Sequence, residues 1–197
     1  MIRGIAIFGL NGGGKSTLAH ALAKQIGYFE MDAEDYYFPE QRESRRQALE
    51  DNSTISIINT GRLGELPFSN PRTRREVQAA ILEDIKDHPQ FILSGVTMNW
   101  SDEILSCIDI AFWVQTPLEE RLRRIQAREE KRFGMRVLAG GDMYAQQIEF
   151  RKAVKNRDPK SVEESAGKFN CPVITMDGIL PVAKNLEIIT DNLNRMT

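Results

Sequence analysis

A chain of 197 residues, 41% hydrophobic and 27% charged, has the length of one generous domain, enough for a single sizeable core with an inserted lid or cap. Its 26 basic residues against 28 acidic ones leave a net charge of −2, so it lacks the global basic field that general nucleic-acid binding uses. Cys107 and Cys171 stand alone without C-x-x-C spacing, which argues against a disulfide framework and a zinc site and predicts reduced, buried thiols. The N-terminus enters a strand directly, and nowhere do some 18 apolar residues run together, so a soluble cytoplasmic protein with no membrane partner is expected. No repeat, low-complexity tract or linker divides the chain.

The first strand is the apolar run Ile5, Ala6, Ile7 and Phe8, as in a parallel strand covered on both faces. From Gly9 the chain reads G-L-N-G-G-G-K-S, which fits G-x-x-x-x-G-K-[ST] at every required position. Gly12, Gly13 and Gly14 let the main chain approach an anion with successive N–H groups in one concavity, and Lys15 adds a cation for the outer phosphates. A helix beginning near Lys15 follows, with Leu18, Leu22 and Ile26 on one face. The competing reading, a Gly-rich turn beside an incidental Lys-Ser, needs motif, strand and helix to coincide by chance.

Tyr28 to Met31 reads as a second strand ending in the acidic and aromatic cluster "MDAEDYYFP". Arg42, Arg45 and Arg46 predict a charged helix, and "NTGRLGELPFSNP" is loop-like. The next helix opens with Asn70 as cap and Pro71 at its first position, and carries Val77, Ile81, Leu82 and Ile85 at helical spacing. "FILSG" from Phe91 to Gly95 is a third strand, a short helix lies near Trp100 to Cys107, and "IDIAFWV" from Ile108 to Val114 is a fourth. Thr116 as cap and Pro117 as first residue start a long charged helix running to about Phe133. "FGMRVLAGGDMY", with Gly134, Gly140 and Gly141, is expected to be a mobile loop. Helices are expected from Tyr144 to Asn156 and Pro159 to Lys168, then a fifth strand, Val173 to Met176, and a last helix from Val182 to Leu193.

Strands alternating with helices predict an α/β fold, a five-stranded parallel sheet with helices on both faces and right-handed crossovers. Ligands then bind beyond the carboxyl ends of the strands, where the Gly-rich loop, "MDAED" and "SGVT" all emerge.

Arg121, Arg124, Arg128 and Arg132 share one face of the long helix. A solvated face held by ion pairs is one reading: Arg124 can pair with Glu120, and Arg132 with Glu129. Arg128 has no acid three or four residues away, and stacked like charges of this kind favour an anion that comes to meet them. In the acidic cluster, a carboxylate at the mouth of the site can deprotonate a hydroxyl or hold a metal-bound water, and an acidic turn capping a helix is the alternative. Arg62, Arg72, Arg74 and Arg75 could recognise an anionic acceptor, although Arg72 can equally pair with Glu76.

With these residues in place, the chain resembles the small P-loop kinases, the group that includes adenylate, shikimate and uridine kinases. "RIQAR", Arg124 to Arg128, is similar to the R-I-x-x-R that opens their lid. The resemblance implies that Arg124 packs on adenine and Arg128 touches the transferring phosphate. Asp32 and Glu34 resemble the acid-x-acid pair of shikimate kinase, while Asp35 to Pro39 resemble the acid, aromatics and proline of uridine and nicotinamide riboside kinases. The chain departs from nucleotide monophosphate kinases at the third strand, where their D-G-F-P-R is replaced by Ser94-Gly95-Val96-Thr97-Met98.

The resemblance implies a P-loop NTPase fold of the nucleoside/nucleotide kinase type over 1–197, with an acceptor-binding segment at about 33–75 and a lid at about 121–150. It implies an ATP-dependent phosphotransferase acting on a small hydroxyl-bearing metabolite such as a nucleoside or polyol acid. ATP would be held by Gly9, Asn11, Gly12, Gly13, Gly14, Lys15, Ser16, Thr17 and Arg124. Magnesium would be held by Ser16 and, through water, by Asp32. Lys15, Asp35 and Arg128 would be catalytic, with Asp35 facing the acceptor hydroxyl. A nucleoside monophosphate kinase and a nucleotide-gated ATPase without an acceptor are the alternatives, and nothing in the pattern sets an oligomeric state.

Overall fold

The structure is a computed structural model that describes residues 2–50 and 66–196. Five strands, β1 Gly4–Phe8, β2 Phe29–Asp32, β3 Phe91–Gly95, β4 Ile108–Gln115 and β5 Val173–Asp177, form one sheet in the order β2-β3-β1-β4-β5. Every adjacent pair is parallel. The helices are α1 Lys15–Ile26, α2 Ala33–Tyr37, α3 Arg42–Glu50, α4 Arg74–Asp87, α5 Asp102–Leu105, α6 Leu118–Phe133, α7 Tyr144–Asn156, α8 Lys160–Ala166 and α9 Val182–Met196.

The strands are apolar on both sides because both sides are covered. Ile5 and Ile7 of β1 enter a core with Leu18 and Leu22 of α1 and Ile189 of α9. Ala6 and Phe8 turn the other way, to Val77 and Ile81 of α4, Ile104 of α5 and Val162 of α8. Burial of β1 is complete from Gly4 to Phe8, which fixes the strand that the Gly-rich loop leaves. Among the described residues, no helix is long and apolar enough to cross a membrane.

Several local expectations are corrected by tertiary contacts. Helix α4 starts at Arg74, not Pro71: the Thr73 hydroxyl accepts from the Glu76 N–H while the Glu76 carboxylate takes the Thr73 N–H at 2.8 Å, a capping box that sets the start of the helix. Thr116 does not cap α6, because its hydroxyl donates across the fold to the Gly13 carbonyl at 3.2 Å. The segment expected as a mobile loop is folded. A 3-10 turn, Gly134–Val137, is closed by Arg136 on Asp142 at 2.8 Å, and Val137 and Met143 are buried with Phe133 against Leu66 and Phe68.

Candidate active site

The loop between β1 and α1 is shaped by its neighbours. Gly12 and Gly14 have left-handed φ angles of 78° and 95°, and a Cβ on Gly12 would lie 2.5 Å from the Arg121 carbonyl oxygen, so the main chain passes where no side chain fits. Helix α1 has no side-chain cap and no acid in its first turn, which leaves its N–H groups and positive dipole end open to an anion. Lys15 is 8% exposed and its Nζ donates to the Leu10 carbonyl at 3.0 Å. Burial, countered by the Asp32 charge, lowers the Lys15 pKa to about 8.

Next to the loop, β2 and β3 pair Asp32 with Ser94, and the side chains meet as well. Asp32 Oδ2 accepts from Ser16 Oγ at 2.6 Å and from Ser94 Oγ at 2.8 Å. Burial pushes the Asp32 carboxyl up, but the Arg45 guanidinium and hydrogen bonds from Ser16, Ser94 and the Glu34 N–H outweigh it and hold the group below the usual carboxylate range. Arg45 reaches from α3 to Asp35 through two hydrogen bonds, with Glu30 and Asp32 at 3.5 and 3.6 Å. Glu30 in turn holds His20 of α1 at 2.7 Å. Burial opposes the Arg45 charge, but its hydrogen bond to Asp35 and the surrounding carboxylates raise its pKa further.

The α6 arginines diverge in role. Arg121 is buried and clamps the loop, donating to the carbonyls of Thr116 at 3.1 Å and Asn11 at 3.4 Å. Arg124 pairs with Glu120 and lies over the loop, 3.4 Å from the Gly13 carbonyl. Arg128, which lacks a helical-spacing partner, instead pairs with the adjacent Glu129 at 2.6 Å. The expected Arg132–Glu129 pair is absent among the described residues. Arg132 packs its guanidinium on the rings of Phe68 and Phe133, at 5.5 and 5.0 Å from their centroids.

One cleft of about 760 Å³ joins these parts. Its lining includes Asn11, Gly12, Lys15, Ser16 and Asp32 of the loop, α1 and β2, together with Glu34 of α2, Phe38, Phe68, Arg74 of α4, Arg128 of α6 and Gln147 of α7. Gly95, Val96 and Thr97 from the end of β3 also line it, as the carboxyl-end rule requires.

Residues 5–149 match the AAA domain family. The chain belongs to that family. This AAA-domain chain is 25% identical over 202 residues to the "uncharacterized protein YqaC" of Bacillus subtilis (strain 168), covering 98% of itself and 99% of that relative. It is 26% identical over 127 residues to the cytidylate kinase of Halobacterium salinarum, covering 64% of itself and 59% of that enzyme. Among solved structures it resembles a sugar kinase from Janibacter sp. HTCC2649, with a TM-score of 0.53 and 17% identity over 98% of this chain and 95% of that one. Its fold is the P-loop small-molecule kinase fold, parallel sheet and phosphate loop included.

In this AAA-domain protein the residues fit a nucleotide with magnesium. Helix α1 begins with no side-chain cap and no acid in its first turn, and the Ser16 hydroxyl and Asp32 carboxylate already converge beside Lys15. One hydroxyl and one carboxylate are a sparse donor set of the kind that suits magnesium carried on phosphates. Asp35, expected to face the acceptor hydroxyl, is not among the residues lining the cleft and holds its carboxylate on Arg45, while Glu34, one residue earlier, lines the cleft. Burial, opposed by Arg128, raises the Glu34 pKa. Gly9 is buried against β4, where a Cβ would meet the Val114 oxygen at 2.3 Å, and Thr17 is exposed on α1 outside the cleft. Arg62 lies outside the described residues, and Arg72 makes no ion pair with Glu76, whose carboxylate serves Thr73. Sequence reasoning missed Arg157, which donates to Asn11 Oδ1 at 2.9 Å, and Gln147; neither carries a local motif.

Proposed function

We propose that this chain is an ATP-dependent kinase that phosphorylates a hydroxyl group of a small molecule. The observation that carries the reading is one cleft lined by Lys15, Ser16 and Asp32 together with Glu34 and several aromatic rings, which gives a phosphate and an acceptor room in one enclosure. ATP with magnesium supplies the phosphoryl group and neutralises its charge when bound. Lys15 and the N–H groups of the loop hold the phosphates, and Ser16 and Asp32 sit on the metal side. Arg128 lines the same cleft, near Lys15 and Glu34, and can leave Glu129 for a transferring phosphate. Glu34, its carboxyl raised by burial, is placed to take the proton of the acceptor hydroxyl. Helices α6 and α7, which line the cleft, would act as the lid that closes on the substrates and excludes water.

The test is ADP release measured across a panel of nucleosides, sugars, sugar acids and nucleoside monophosphates. One acceptor class should raise ATP turnover sharply, and Lys15→Ala should abolish the rise. Turnover independent of every acceptor would replace the kinase by a nucleotide-gated ATPase. A nucleoside monophosphate acceptor is a second reading, favoured by the cytidylate kinase relative and by Arg74 in the cleft wall.

A further inference from the structure

Gln147 is 4% exposed, lines the cleft, and leaves its Oε1 without a hydrogen-bond partner among the described residues. An unpaired buried amide oxygen is destabilising, and a ligand N–H would offset that cost. The amide carries a donor and an acceptor side by side in one plane, so it matches a flat edge that offers the complementary pair.

The same cleft is rich in aromatic rings. Tyr37, Phe38, Phe68, Trp100 and Phe150 all line this cleft. Phe68 is held at φ 64°, and no other described non-glycine residue has a positive φ. A bulky side chain there is strained. It is fixed edge-on to Phe38 at 5.2 Å and to Phe133 at 6.4 Å, so the fold maintains the strain to keep a ring in this wall.

Charge decides between the remaining acceptors. Glu34 and Glu149 line the cleft, whereas of the lining cations Lys15 and Arg128 serve the phosphates in the kinase reading and Arg157 donates to Asn11 of the loop. The exposed Arg74 is the cation left for the acceptor among the lining residues. An acceptor carboxylate or phosphate would meet more negative charge than positive. We infer that the acceptor is an uncharged nucleoside, its base packed among these rings and its edge read by the Gln147 amide, an inference that rests on the kinase reading above.

The experiment measures ADP release and, with a non-hydrolysable ATP analogue present, thermal shift, for nucleosides, neutral sugars, sugar acids and nucleoside monophosphates. A nucleoside should give the largest kcat/KM. The Gln147→Leu variant should raise its KM ~10-fold or more while kcat changes less than about 3-fold. The unliganded variant should melt no lower than the parent, since it loses an unpaired buried amide. As a check needing no variant, the same nucleoside stripped of its exocyclic amine or carbonyl should lose a similar factor with the parent protein. A sugar, sugar acid or monophosphate as the best acceptor, or an unchanged KM in Gln147→Leu, overturns the inference and leaves the kinase standing. If no acceptor of any class raises turnover, the kinase reading falls and the inference with it.

Discussion

Replacing Lys15 by Met should make the unliganded protein more stable while removing its activity. The lysine is 8% exposed, and burial is the largest influence on it, with Arg128 and Arg121 adding to the effect and Asp32 and Glu34 opposing it. Its pKa falls from 10.5 to about 8. At about 1.4 kcal/mol per pH unit, holding the charge in the folded state costs ~3 kcal/mol. Methionine keeps the length of the stem and drops the charge, but it also gives up the hydrogen bond to the Leu10 carbonyl, which returns about 1 kcal/mol. The net gain of ~2 kcal/mol corresponds to about 4–8 °C in Tm for a chain of this size. The folded state binds the Lys15 proton more weakly than the unfolded state does. The penalty is therefore fully present below pH 8 and disappears above pH 10.5, as the lysine becomes neutral in both states. Urea denaturation of both proteins at pH 7 and at pH 10.5 provides the assay. Lys15→Met should lead at pH 7, and the gap should close at pH 10.5. A variant less stable at pH 7, or one whose advantage is the same at both pH values, would refute the account of Lys15 as a charge held against burial for the sake of phosphate.

Four further substitutions probe the site and its frame. Asp35→Asn leaves the buried Arg45 short of its hydrogen-bonded partner and should destabilise the fold by ~3 kcal/mol in denaturant titration. Its folded fraction should keep its kcat, whereas Glu34→Gln should lower kcat by ~100-fold or more with the stability little changed. Asp32→Asn should raise the magnesium concentration needed for half-maximal turnover, and a magnesium titration that superimposes on that of the parent would count against a metal-side role. Thr73→Ala removes the hydroxyl that opens α4 and should cost about 1 kcal/mol, seen as a Tm about 2–4 °C lower with KM values unchanged.

The phosphate loop was legible in the sequence because every part of it is local. Glycines, lysine and serine lie within one turn of chain, and the apolar strand before them and helix after them carry their own periodicity. The strands were legible for a related reason: burial on both faces demands continuous apolar runs, and Ile5–Phe8 or Phe91–Gly95 cannot be read otherwise. Asp32 could be placed because it ends a strand, and strand ends in a parallel sheet share one rim. The choice between Glu34 and Asp35 was different. The two are consecutive on α2, about 100° apart around the helix, and which one faces the cleft is set by Arg45, delivered from α3. Thr116, Arg157 and Gln147 show the same limit. A threonine before a helix reads as a cap, yet this hydroxyl goes to Gly13, 103 residues away in sequence, and Arg157 finds Asn11 at a separation of 146. Such contacts exist only because the order β2-β3-β1-β4-β5 puts the first strand in the middle of the sheet and brings α6 and α7 back over the loop that leaves it. Local pattern encodes which residues are buried and which turns are open to an anion. Which polar group meets which across the cleft depends on packing between elements far apart in the chain, and no period or spacing records that.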